Sequence, residues 1–235
     1  MGTGSPDPAP GLDALLASAG WNLRAALPVG RYDRIVPPAF GSAALLPGAR
    51  SVLVLGSGGR ALWQAFRAAP EFGRGSDPLD AMTERVAARA AALLGGREIL
   101  AHRPLGGSFA DFVALGREAG LGAPGRLGLL LHPEYGPWLS LRAAVLTALD
   151  LPVGTPLAGF DPCTGCPAPC QAACHGDALP PEGFRVDRCA AARSREPCRD
   201  RCDARRACVL GPNHRYAPEA EAHHMTRAGV PPGPG

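Results

Sequence analysis

Eight cysteines, all between residues 163 and 208 of the 235-residue chain, are the side chains best suited to chemistry. They run Cys163-x2-Cys166-x3-Cys170-x3-Cys174, then Cys189 alone, then Cys198-x3-Cys202-x5-Cys208. Thiols crowded in this way serve as metal ligands, redox groups or disulfide partners, and the compartment weighs between these uses. The N-terminus, MGTGSPDPAPGLDALLASAGW, has no basic segment followed by an apolar core, so it does not read as a secretory signal and a cytoplasmic location is expected. In a reducing cytoplasm clustered thiols are read first as metal or redox ligands.

Eight thiolates equal the requirement of two 4Fe-4S clusters. In two-cluster ferredoxins the run C-x2-C-x2-C-x3-C-P gives three thiolates to one cluster and its fourth to the other. The first run here departs by one extra residue before Cys170 and by His175 in place of proline; the second is more widely spaced, with Val209 in place of its proline. This spacing predicts Cys163, Cys166, Cys170 and Cys208 on one cluster and Cys174, Cys189, Cys198 and Cys202 on the other. Zinc is the chemical alternative, because four thiolates in a tetrahedron satisfy it and make a staple without redox function. A metal-free knot of disulfides or buried thiols is the third reading.

The elements that must position these residues are legible in outline. Residues 1–10, rich in Gly, Pro and Ser, are expected to be disordered. GLDALLASAGWNLRAAL has helical apolar spacing, PGARSVLVLGSGG reads as a turn, a buried strand and a glycine loop, and AMTERVAARAAALLGG reads as an alanine-rich helix with a glycine stop. REILAHRPL is an expected strand, SFADFVALGREAG an expected helix, and LGAPGRLGLLLHPEYGPW an expected turn and buried strand. The fold class is therefore α+β: a layered α/β domain over 11–157, a small cysteine-rich ferredoxin-like domain over 158–216, and a tail over 217–235. Apolar runs such as LGLLL fall far short of the roughly 20 residues of a membrane span, so no membrane partner is expected.

Three stretches resemble, in order, the epoxyqueuosine reductase family: LLPGARSVLVLG, then AGLGAPGRLGLLLHPEYGPWLSLRAAVLTALDLP, then the cysteine run, in which VDRC places Cys189 alone between the two groups. The resemblance runs from about residue 45 to 210. It implies a nitroreductase-like domain, similar to cobalamin-processing proteins, that holds cobalamin and is fed electrons by two clusters in the following domain. His132, Tyr135 and Trp138 of LHPEYGPW would then line the cofactor pocket; the plainer reading makes Trp138 a core aromatic and His132 a turn residue bonded to backbone. Two departures matter. The resembled enzymes carry an Asp-Ser pair ahead of AGLG as a catalytic acid, and LGGSFADFVALG has Gly107 before Ser108; their C-terminal helical repeats are not found before Gly235. Reduction of epoxyqueuosine in tRNA is accordingly not expected, and Asp111, the nearest carboxylate, is expected to point elsewhere.

Composition narrows the partners. All 24 basic residues are arginine, which excludes a lysine Schiff base or a Walker lysine, and a net charge of +3 gives no broad basic face for nucleic acid. An electron-donor protein or reductase and a small-molecule cofactor are the partners expected. GSGGRA after a strand satisfies a dinucleotide fingerprint in form, but no acidic residue ends a clear second strand about 20 residues on. Arg199, Arg201, Arg205 and Arg206 read as a solvated basic face or a docking surface for an acidic donor. His175 could replace a thiolate but reads as exposed; His214, His223 and His224 read as a solvated helix face, and Glu219 and Glu221 are given no role.

Overall fold

The computed structural model describes residues 9–227. Its elements in chain order are α1 (Leu12–Ser18), β1 (Leu23–Pro28), α2 (Val29–Tyr32), α3 (Ser42–Leu45), β2 (Ser51–Gly58), α4 (Ala61–Arg67), α5 (Pro78–Leu93), β3 (Arg97–Leu100) and α6 (Phe112–Glu118). Then follow β4 (Ala123–Pro124), β5 (Leu130–Leu131), β6 (Leu139–Thr147), α7 (Pro169–Ala172), α8 (Val186–Arg193), α9 (Asp203–Arg206) and α10 (Pro218–Arg227). The chain forms two compact units, one of residues 1–121 and 140–157 and the other of 122–139 and 158–235. The segment 122–139 thus groups with the cysteine region, where the sequence reading placed a single division near 157.

The first unit is a four-stranded sheet in the order β1-β2-β6-β3, with β1 antiparallel to β2 and β3 antiparallel to β6. β2, SVLVLGSG, is buried along its whole length, which accounts for its unbroken apolar run: a strand covered on both faces needs no alternation. α5 covers the sheet with Leu79, Met82, Val86, Ala87, Ala90 and Ala91, a spacing of three and four that keeps one face inward. Pro78 starts it and Gly95, at φ +57°, ends it. Arg142 of β6 holds this helix by donating to Asp80 at 2.7 Å and to Thr83 Oγ1 at 3.0 Å.

The continuous helical spacing read over residues 11–27 breaks at Gly20. There φ is +69° and an added Cβ would lie 2.3 Å from the Ala61 carbonyl oxygen, so only glycine fits and the chain turns from α1 into β1. LGLLL supplies only the two-residue β5, paired with β4. Of the segment expected to be disordered, residues 1–8 lie outside the described residues, whereas Ala9 is buried in the core. In the tail, residues 218–227 form α10, and 228–235 lie outside the described residues. No helix among the described residues is long and apolar enough to cross a membrane.

The glycine loop after β2 uses its own donors. Gly58 N–H donates to Asn22 Oδ1 at 2.7 Å and Leu62 N–H to Ser57 Oγ at 3.2 Å, so these amides do not face an open phosphate site. Gly106 and Gly107, at φ +58° and +77°, make a two-residue turn closed by Leu105 N–H to Ser108 O at 2.8 Å. Two successive positive φ values are the requirement of a type I′ turn, which explains the glycine pair. Asp111 caps α6, accepting from the N–H of Val113 and of Ala114, both at 2.9 Å.

Candidate metal centre

All eight cysteines lie in the second unit and all are free thiols. Short helices and turns hold them. α7 carries Cys170 and is preceded by Ala168 at its N-cap, whose φ of +54° is a left-handed conformation that a Cβ disfavours. α8 carries Cys189, and Cys202 caps α9 with its own Sγ, which accepts from Arg205 N–H at 3.4 Å. α7 and α9 pack together around Leu127, Leu131, Cys170, Leu179 and Ala204.

The thiols interact electrostatically in two sets. Cys170 feels Cys208, Cys163 and Cys166, and Cys208 feels Cys163 and Cys166. Cys189 feels Cys174 and Cys198, Cys198 feels Cys174, and Cys202 feels Cys189 and Cys174. The first set, Cys163, Cys166, Cys170 and Cys208, lines a hollow walled by Leu127, Leu131, Pro162, Pro169 and Val209. The second set is Cys174, Cys189, Cys198 and Cys202.

Burial pushes the thiols of Cys170, Cys189, Cys198, Cys202 and Cys208 above the ordinary thiol value, and their neighbouring thiols add to the effect. Loading a metal therefore displaces protons from buried sulfurs. Backbone N–H groups already point at the sulfurs that must carry charge: Arg126 N–H to Cys163 Sγ at 3.4 Å and Ala178 N–H to Cys174 Sγ at 3.3 Å, besides Arg205 N–H to Cys202. Such donors stabilise thiolate ligands and tune whatever they bind.

Four thiols in each set are a donor set that either a 4Fe-4S cluster or a zinc ion could take, and no group of three or more His, Cys, Asp or Glu side chains placed to hold a metal ion is found among the described residues. The other histidines do not add ligands. His175 Nε2 pairs with Asp203 Oδ2 at 2.9 Å, and His214 packs edge-on to Tyr135, with ring centres 4.7 Å apart. His223 and His224 lie on α10, with His224 against Tyr216.

The trio proposed from sequence to line a cofactor pocket belongs to this second unit, and its geometry is that of a packed turn. His132 Nδ1 accepts from the N–H of Glu134 at 3.1 Å and of Tyr135 at 3.3 Å, so a neutral ring carries its proton on Nε2. Burial holds His132 below the ordinary imidazole value, which keeps that neutral form. Tyr135 packs between His132 and His214. Trp138 is 0% exposed: the Arg205 guanidinium sits 4.7 Å from its ring centre and Tyr216 packs at 5.4 Å. An indole covered in this way leaves Trp138 no face open to a corrin ring, whereas His132 and Tyr135 are half-buried.

Two residues at the site were not singled out for the parts they play. Glu221, given no role from sequence, is 2% exposed; it accepts from Cys202 N–H at 3.0 Å and from Arg206 Nη1 at 2.6 Å. Arg205, read as part of a basic face, donates to Pro137 O at 3.1 and 2.5 Å and lies between Trp138 and Tyr216. The only sequence signal for either was position: Arg205 follows Cys202 by three residues, the distance from a cap to the amide it accepts.

No protein-family model matches the chain, and no curated protein matches it by sequence. Solved structures share its fold. Epoxyqueuosine reductase from Streptococcus thermophilus aligns with a TM-score of 0.53 at 13% identity, over 86% of this chain and 65% of that one. The enzyme from Bacillus subtilis, solved with its catalytic loop swung out of the active site, aligns at 0.55 and 14%, over 88% and 66%. The catabolic reductive dehalogenase NpRdhA, in complex with 3-bromo-4-hydroxybenzoic acid, aligns at 0.54 and 16%, over 95% of this chain and 35% of that one. The chain thus spans about two thirds of the reductases' length and about a third of the dehalogenase's, and at these identities the likeness is one of fold: a mixed α/β architecture used by redox enzymes.

Proposed function

We propose that the protein is an iron-sulfur electron-transfer protein of a reducing, cytoplasmic compartment, in which each set of four thiols holds one 4Fe-4S cluster. The observation that carries this reading is the division of eight free thiols into two interacting sets of four, the first with a backbone N–H aimed at one of its sulfurs and the second at two. Bound clusters would supply one-electron storage. The chain's own part is to deprotonate and bury the thiols, to neutralise their charge with amides and arginines, and to exclude water with Leu127, Leu131 and Leu179.

An electron-donor protein or reductase would deliver the electron to the cysteine-rich, ferredoxin-like unit. A corrinoid or another small-molecule cofactor as acceptor is supported by fold alone, one of the similar dehalogenase structures having been reported with a mechanism for B12-dependent dehalogenation. The protein is not assigned reduction of epoxyqueuosine in tRNA. The turn at Gly106 and Gly107 bears no acid, and the Asp111 carboxylate is committed to capping α6.

Anaerobic reconstitution with iron and sulfide tests the reading. Brown protein with broad absorption and eight irons and eight sulfides per chain, the content of two 4Fe-4S clusters, is expected, with paramagnetic signals on reduction. Colourless protein that binds zinc and takes up no iron would overturn it.

A further inference from the structure

Two of the backbone N–H groups that point at sulfurs share an anchor. Arg126 N–H donates to Cys163 Sγ at 3.4 Å and Ala178 N–H to Cys174 Sγ at 3.3 Å. The first donor lies in the loop between β4 and β5 and the second in the loop after α7, so no helix fixes the direction of either. Gln171 of α7 bonds to both loops. Its Oε1 accepts from Arg126 Nη1 at 3.2 Å, and its Nε2 donates to the carbonyl of Leu179, the residue after Ala178, at 2.6 Å. A guanidinium only donates and a carbonyl oxygen only accepts, so the two contacts fix which end of the side-chain amide is oxygen.

The backbone of Gln171 is tied as well. Its N–H donates to Ala168 O at 2.9 Å and its O accepts from Cys174 N–H at 3.2 Å, which holds the residue in place between Cys170 and Cys174. From there its side chain reaches 45 residues back to Arg126 and 8 forward to Leu179. The two arms are unequal. The contact with Arg126 is exposed, whereas that with Leu179 is partly buried and Leu179 itself is 5% exposed. Water replaces a lost bond poorly at a buried carbonyl, so the second arm holds harder.

From this arrangement we infer that Gln171 is the positioning residue common to both thiol sites: through Arg126 it aims an N–H at Cys163, and through Leu179 it aims one at Cys174. As a statement about clusters this rests on the two-cluster reading above; as a statement about the two N–H donors it does not. Donors to the sulfurs favour the more negative, reduced form of a thiolate-held cluster. Gln171 therefore raises both potentials together without being a ligand at either site.

The test compares wild type with Gln171→Met, which keeps the length and neutrality of the side chain and removes both polar ends. Redox titration of the iron-loaded full chain, with dithionite as the electron source and paramagnetic resonance as the readout, is expected to show both sites harder to reduce. The expected change is about threefold, or about 28 mV for one electron, with the larger fall at the Cys174 site. Amide exchange should quicken at Arg126 and Ala178, while α10 keeps its rate. Gln171→Glu separates the arms, because its carboxylate still accepts from Arg126 but sets an oxygen against the Leu179 carbonyl. Exchange should then quicken at Ala178 and not at Arg126; this pattern is the readout for that variant, since its added charge moves the potentials by itself. Should Gln171→Met fail to load, the exchange pattern of Gln171→Glu decides. Unmoved potentials, a fall at one site only, or exchange quickened alike at all these places overturns the inference and leaves the two-cluster reading standing. A chain that takes up no iron overturns that reading, and the exchange patterns of the same full-chain variants then decide the positioning role alone.

Discussion

The buried carboxylate of Glu221 accepts a hydrogen bond from the backbone N–H of Cys202 at 3.0 Å, and so ties α10 to a residue of the second thiol set. The same carboxylate is neutralised by Arg206 at 2.6 Å. Glu221→Ala leaves a partly buried N–H without an acceptor and an arginine without its partner, a loss of about 1 kcal/mol for the donor alone. The variant is expected to show faster amide exchange over residues 198–210 and to lose iron from the second set first. Unchanged exchange there would mean that α10 does not hold the ligand loop.

Because the thiols fall into two sets, single ligand substitutions should be local. Cys189→Ala is expected to halve the iron content and to leave the paramagnetic signal of the first set; Cys166→Ala should do the reverse. Loss of all iron in either variant would show that the sets depend on each other for folding.

Asp111 serves as a cap. Asp111→Ala removes both acceptor contacts and is expected to lower the stability of the first unit by about 1 kcal/mol, whereas Asp111→Asn, a comparable cap, should cost little. Urea unfolding of the three proteins checks this. Equal midpoints for alanine and wild type would remove the capping role.

Acid should weaken the first unit in a defined window. The bidentate Arg85 guanidinium holds the Glu71 carboxyl below its ordinary value of 4.5, and His102, then Arg103, do the same for Glu84. A carboxyl whose folded value is depressed stabilises the fold above its unfolded value and loses that contribution as the pH falls through the folded one. Glu71→Gln is therefore expected to be less stable than wild type at pH 7, and the gap should close as the pH falls below about 4.5. Urea midpoints at pH 7, 5 and 3 measure it; a gap that widens in acid would contradict the ion pair.

What could be read in the sequence depended on how local the cause was. β2 and α5 announce themselves because an unbroken apolar strand and a helix with one buried face are patterns within a single window. The turn at Gly20 was hidden because what forbids a side chain there is the Ala61 carbonyl, brought in by the fold. The proposed grouping of the thiols follows from motif spacing, in which each run of cysteines sends one ligand to the other set. The surroundings of those thiols do not: Arg205 reaches Pro137, 68 residues away, and Glu221 reaches back 19 residues to Cys202. Trp138 looked available to a ligand for the same reason, since the residues that cover it are distant in sequence.

The second unit is assembled from two separate stretches of chain, 122–139 and 158 onward. Leu127 and Leu131, which pack beside the first thiol set, leave the ribosome well before any cysteine does. Neither unit is complete when the other begins: residues 140–157, including most of β6, must join the sheet of the first unit while 122–139 still waits for its partners. A gene fragment cut at 158 would therefore encode the cysteines without the floor on which they rest, and any dissection that keeps this fold must carry residues 122–139 along, joined to the rest by a new linker.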